Sequence, residues 1–227
     1  MKRIIFCLTL VFFTITSSAQ SKFSFTLQNG IGQMKTFVHD PVPSISEIKT
    51  PISYSNQASF NYSYHLKHLF FETGINYNFI QGTQIESLVM NAINGLPAEI
   101  VSKTKTKAHY VGVPLTINHK INHFNYGLGA SINYRITNSH FTEIEENRQL
   151  LALIGGGNNL SKLDYGLIAQ GGYVLNDHIS VRANFYYGLN DISNGSNPGV
   201  SNILFQGDPS DRSIKNRQFT IGLRYTL

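Results

Sequence analysis

Between His109 and Thr137 the chain carries two runs of alternating apolar and polar residues, parted by a very short turn near Ile121 to His123. In the first run Val111, Val113, Leu115 and Ile117 alternate with Gly112, Pro114, Thr116 and Asn118. In the second, Phe124, Tyr126, Leu128, Ala130, Ile132, Tyr134 and Ile136 alternate with Asn125, Gly127, Gly129, Ser131, Asn133, Arg135 and Thr137. Successive side chains on a strand point to opposite faces, so each run has one apolar and one polar face. The spacing predicts a hairpin, and its β-branched residues favour the extended state.

The same period recurs along the chain. It predicts strands over Phe23–Gly32, Ile52–Leu66, Leu69–Phe79, Leu163–Leu175, Ile179–Asn190 and Gln218–Leu227, besides the two of the hairpin. Very short polar turns, such as Lys67-His68 and Asn176-Asp177-His178, alternate with long connections over Met34–Pro51, Gln81–Lys107, Asn138–Ser161 and Ile192–Lys215. Pro41, Pro43 and Pro51 oppose a long strand in the first connection. In the second, Ile85, Leu88, Val89, Ala92, Ile93 and Leu96 recur at roughly helical spacing and predict a short helix. In the third, Thr142-Glu143-Ile144-Glu145 has capping-box spacing, and Gly155-Gly156-Gly157 reads as a hinge ending any helix there. Eight strands joined by strictly alternating long and short links predict an all-β, eight-stranded antiparallel up-and-down barrel. Both chain ends then lie on the side of the short turns. That is the transmembrane topology of outer-membrane barrels, with short periplasmic turns and four long outer loops.

Composition decides which face is outside. A soluble barrel of lipocalin type, apolar within and wet without, is the rival. Charged residues are only 14% of the chain, too few for a wet exterior. The polar face is mostly Gly, Ser, Asn, Thr and Gln, which suits a narrow lumen. Phe124 and Tyr134 stand ten residues apart on the apolar face, as do Tyr54 and Tyr64. At about 3.3 Å per residue and a tilt near 45°, ten residues rise roughly 23 Å, close to the lipid-facing band between aromatic girdles. Closure also leaves no unpaired backbone edge in lipid.

The first twenty residues have the form of a secretory signal peptide: Lys2 and Arg3, an apolar run from Ile4 to Ile15, and Ser17-Ser18-Ala19-Gln20 as exit. Domain organisation is then residues 1–20 as signal and 21–227 as barrel. Cys7, the only cysteine, leaves with the signal, so no disulfide or cysteine-ligated metal is expected. Loss of Lys2 and Arg3 also takes two from a formal net charge of +5. No Lys/Arg run remains to suggest nucleic acid.

Five segments together carry a family likeness: Tyr110-Val111-Gly112-Val113-Pro114-Leu115, Phe124-Asn125-Tyr126-Gly127-Leu128-Gly129, Asp164-Tyr165-Gly166-Leu167, Tyr186-Tyr187-Gly188-Leu189 and Gly222-Leu223-Arg224-Tyr225. In order and spacing the chain resembles the PorT-like outer-membrane β-barrel family over nearly all of its mature length. It departs at Leu227, where such chains usually end in Phe. The resemblance implies a fold and an outer-membrane location, with association with a secretion system for the named member, but no single activity.

Candidate sites follow from the polar face. Glu72, Arg135, Asp164, Arg182 and Arg224 fall in the inward phase and are expected to form a buried, paired structural network, because a stranded charge costs several kcal/mol. An eight-stranded barrel is filled by side chains, so a solute pore is not expected. His65, His68, His119, His123 and His178 cluster at strand ends without the convergence that zinc needs. Ser139-His140 is an adjacent Ser–His pair, but neighbours on a strand face opposite ways. Asp208 and Asp211 offer too few oxygens for calcium. No catalytic residue, cofactor or metal is expected. The expected partners are outer-membrane lipid, the barrel-assembly machinery, and secretion-system proteins or an extracellular ligand at the loops.

Overall fold

The computed structural model describes residues 20–38, 45–91, 97–146, 149–156, 160–193 and 212–227. Among them are ten strands: β1 (Gln20–Val38), β2 (Ile45–Lys49), β3 (Ser53–Leu66), β4 (Leu69–Asn91), β5 (Pro97–Ile121), β6 (Phe124–Glu146), β7 (Gln149–Gly156), β8 (Leu163–Val174), β9 (Ile179–Gly188) and β10 (Arg212–Thr226). Eight of them close a ring, all antiparallel, in the order β1-β3-β4-β5-β6-β8-β9-β10 and back to β1. The short strands β2 and β7 add to the loop ends of β4 and β6.

The apolar phase lies outside. Leu115, Ile75 and Leu128 are 61%, 62% and 70% exposed, whereas Glu72 and Arg182 are 3% and 5% exposed. A water-soluble fold would invert those values. Rings gather at both ends of the apolar band. Phe124 meets Tyr173 edge-on near the turns, with centroids 4.9 Å apart, and Tyr54 lies beside Phe79, 6.2 Å apart, near the loops.

Local chemistry fixes the turns. Lys67 and Asn122 open their two-residue turns at φ 51° and 52°, the left-handed conformation that hairpin turns require. Asn176 Oδ1 accepts the backbone N–H groups of His178 and Ile179, at 2.9 and 2.8 Å, and so holds the third turn. At the closing seam of β1 and β10, one inward position on each strand has no room for a side chain. A Cβ on Gly30 would strike the Phe219 carbonyl oxygen, and one on Gly222 that of Leu27. Gly222→Val is therefore expected to lower the yield of barrel refolded into micelles, scored by heat-modifiable gel migration. Wild-type yield would show that the seam tolerates a side chain.

The structure corrects four expectations on the loop side. The predicted helix after Gln81 is instead the outer part of β4 and β5, paired continuously from Gln81↔Lys107 to Asn91↔Pro97. Ile85, Leu88 and Val89 pair in that ladder, where inter-strand bonds serve the backbone groups that a helix would otherwise pair internally. The capping-box residues lie within β6, which pairs with β5 on one side and β7 on the other. There the Thr142 hydroxyl shares a 2.9 Å hydrogen bond with the Thr104 hydroxyl across the ladder instead of capping a helix. Met34 to Val38 and Ile45 to Lys49 are strand rather than loop, with Pro51 in the gap between β2 and β3. Gly155 and Gly156 pair with Phe141 and His140 as part of β7. Pro41, Pro43, Ala92, Ile93, Leu96, Gly157, Asp208, Asp211 and residues 1–19 of the proposed 1–20 signal lie outside the described residues.

Candidate functional site

The lumen is where this fold concentrates its chemistry. Alternation turns Glu72 of β4, Arg182 of β9 and Arg224 of β10 inward, and the ring sets β9 four strands from β4, on the opposite wall. Arg182 spans that width. Its Nη2 donates to Glu72 Oε1 at 2.5 Å and also to Gln170 Oε1. Arg224 Nη1 donates to Glu72 Oε2 at 2.5 Å. One carboxylate thus holds two guanidiniums, each on its own oxygen. A polar layer continues the plug. Gln170 Nε2 donates to Thr116 and Asn118, Gln28 Nε2 donates to the Arg182 carbonyl, and Asn184 Nδ2 donates to Gln28.

Of the five charges expected to pair, the structure brings together these three and not Arg135 and Asp164. Asp164 lies toward the loop end, where its Oδ2 accepts from Asn216 Nδ2 at 2.7 Å. Arg135 makes no ion pair among the described residues, and its buried Nη1 has no partner. A β-bulge sets its position. Tyr110 faces Arg135 while His109 faces Thr137, so Ile136 opposes no residue. The extra residue lets Arg135 below and His140 above both point inward.

A second layer closes the loop end. Met34, Ile80, Ala108, Tyr110, Leu160, Ile192 and Ile214 form a buried apolar cluster across the mouth. Leu160 and Ile192 come from the segments beside β8 and β9 and are tied in by backbone bonds Ser161 N–H to Ile192 C=O and Ile192 N–H to Ile214 C=O, at 2.6 and 2.9 Å. Sequence reasoning missed this cluster, although a signal was present. Ile80, Tyr110 and Ile214 are apolar residues in the otherwise polar, inward phase, each just beyond the outer ring belt.

Two open depressions flank the plugs. At the loop end a cleft of about 460 Å³ is lined by Met34, Thr104, Thr106, His140, Leu160 and Ile214, among others. Burial pushes the His140 imidazole below its ordinary pKa. Ser139 stands on the exposed face of the same strand, so the pair does not converge. At the turn end a vestibule of about 620 Å³ is bordered by Lys22, His65, Lys120, Asp177, His178 and Arg224. No group of metal-ligating side chains assembles among the described residues.

Several solved outer-membrane proteins are similar to the chain over most of its length, at low identity. Neisserial surface protein A covers 88% of this chain and 96% of its own, at 11% identity and a TM-score of 0.44. The attachment invasion locus protein of Yersinia pestis covers 90% and 98%, at 10% identity and a TM-score of 0.38. The outer membrane protease OmpT of Escherichia coli covers 92% and 96%, at 12% identity and a TM-score of 0.41. No curated protein sequence matches the chain. A family model matches residues 17–194, most of the length, which places the protein in the outer membrane. This chain belongs to the outer membrane protein beta-barrel domain family.

Proposed function

We propose that this protein is a closed, non-enzymatic barrel that acts by binding at the cell surface through its outer β-hairpins. The observation that carries the reading is the length of its strands. β4, β5 and β6 run for 23, 25 and 23 residues, whereas roughly 9–11 suffice to cross the membrane. More than half of each projects beyond lipid as paired strand. Such a ladder is a rigid platform for recognition, while the lumen beneath is filled by the Glu72 network and capped by the apolar cluster. Ser139 and His140 on opposite faces also support a non-catalytic role.

The test has two arms. Barrel reconstituted in planar bilayers is expected to show no stepwise conductance. Full-length barrel, displayed on cells, is expected to bind a component of an extracellular-matrix and glycan array. That binding should be lost when residues 84–104 are replaced by a short turn. Steady channels, or binding that survives the trimming, would overturn the reading.

A second reading, an accessory part in protein secretion, is favoured by the PorT-like segments and by the cation-bordered vestibule facing the periplasm. Under it, an export component co-isolates with the hairpin-trimmed barrel and is lost from Lys22→Glu/Lys120→Glu. Delivery in either case begins with export directed by residues 1–20 and their removal.

A further inference from the structure

The outer surface of the closing seam carries a group of cations that neither the lumen network nor the hairpin platform uses. On β10, Phe219 and Tyr225 face lipid, and the same outward phase continues to Arg217 and Lys215. On β1 that phase passes from Ile31 through Gln33 to Lys35 and Phe37. Lys35 stands directly opposite Lys215, and Arg217 opposite Gln33. Three cations therefore share one patch. Like charges directly opposite on a ladder are destabilising unless an anion lies between them. None of the three makes an ion pair among the described residues.

Rings hold the patch in shape. The Arg217 guanidinium lies 5.0 Å from the Tyr187 ring centroid and 5.8 Å from that of Phe37. Lys35 Nζ lies 5.2 Å from the Phe37 centroid. A guanidinium stacked on two rings has fewer rotamers left to lose on binding an anion. Depth is the second observation. Tyr225 marks the periplasmic ring belt, and Lys215 lies ten residues outward from it on the same face. At about 3.3 Å per residue and a tilt near 45°, that is roughly 23 Å, the outer boundary of the hydrocarbon. Arg217 is the next outward residue beyond Phe219, and Lys35 is the second beyond Ile31, past Gln33.

We propose that Lys35, Lys215 and Arg217 form a site for the phosphate of an outer-leaflet glycolipid, whose acyl chains lie along the apolar strip Leu27, Ile31, Phe219 and Leu223. The occupant is a lipid rather than free phosphate, because the cations are continuous with lipid-facing side chains and open to no enclosed cavity. The guanidinium Nη groups, of which Nη2 also makes a long 3.5 Å bond to the Tyr187 hydroxyl, supply donors for phosphate oxygens, and the two ammonium groups neutralise the remaining charge. This inference rests on the membrane placement and is independent of what the hairpins bind.

The experiment uses the full mature barrel in detergent micelles, with bisphosphorylated lipid A as probe and retained lipid counted by native mass spectrometry. Three phosphate contacts at about fivefold each imply about a hundredfold weaker retention in Lys35→Gln/Lys215→Gln/Arg217→Gln. Lys67→Gln, which removes one charge at a periplasmic turn, is expected to retain lipid as wild type does. Arg217→Lys keeps the charge but loses the ring stacking and should fall between them. Dephosphorylated lipid A should bind the wild type as weakly as the triple variant binds the intact lipid. Inorganic phosphate at millimolar concentration should compete poorly. Equal retention by wild type and triple variant, or equal retention of the two lipids, would overturn the proposal. Displacement by inorganic phosphate alone would overturn its lipid source. All three side chains are half-buried on the outer face and none lies in the lumen, so the heat-modifiable gel shift is expected to report a folded triple variant.

Discussion

Glu72→Ala is expected to destabilise the barrel by about 3–5 kcal/mol, the usual cost of removing one partner from a buried ion pair. The substitution leaves Arg182 and Arg224 facing each other inside the lumen, both nearly inaccessible to water. Arg182 keeps its bond to Gln170, but a neutral amide oxygen does not offset a full charge. Reversible urea unfolding in lipid vesicles reads the effect as a lower midpoint at unchanged slope. Glu72→Gln should lose nearly as much, since it preserves shape but strands the same two cations. The triple variant Glu72→Met/Arg182→Met/Arg224→Met should recover most of the loss, because apolar residues of similar volume often replace a buried charged cluster without penalty. If Glu72→Ala unfolds at the wild-type midpoint, the triad is not holding the lumen together.

That triad shows where sequence reasoning reaches and where it stops. Inward phase was legible for all five charges, because alternation is a local property. Pairing was not, because it depends on which strands face each other across the closed ring. One further clue was available. Glu72 and Arg182 each lie four residues beyond a short turn, and Arg224 lies three from the end of the sequence. Counting from the turns gives a common depth near the short-turn end. Arg135 is twelve residues past His123 and Asp164 starts its strand from the loop side. Those two belong to another level, and the structure keeps them there.

The strands themselves were legible where one face meets lipid and the other the lumen. Beyond the outer ring belt that contrast ends. Lys103, Lys105 and Lys107 point outward on β5 and Ser102, Thr104 and Thr106 inward, so both faces are polar and the two-residue period vanishes from hydropathy. What remained visible was a scatter of apolar residues around Ile85 that suggested a helix. Pairing decides such segments, through the register that β4 and β5 carry out of the membrane, and no single stretch of sequence displays it.

Leu128→Arg is the substitution that tests the outward face most directly. Leu128 is 70% exposed and sits near mid-band on β6, between Phe124 and Tyr134. An arginine at the bilayer midplane of such a barrel costs about 2–4 kcal/mol, falling to about 0–1 near the interfaces. Ile136, equally outward but at the outer rim, should therefore tolerate Ile136→Arg with little loss. The two sites share strand and outward face, but Ile136 is also the unpaired bulge residue, so the dependence of their gap on bilayer thickness is what isolates the membrane. Urea unfolding in vesicles of defined thickness supplies the measurement, and thinner bilayers should shrink the gap. On a surface bathed in water both changes would stay within about 0.5 kcal/mol. A depth-independent result at these two positions would therefore remove the hydrocarbon from the outside of the barrel and the rationale for its polar lumen with it.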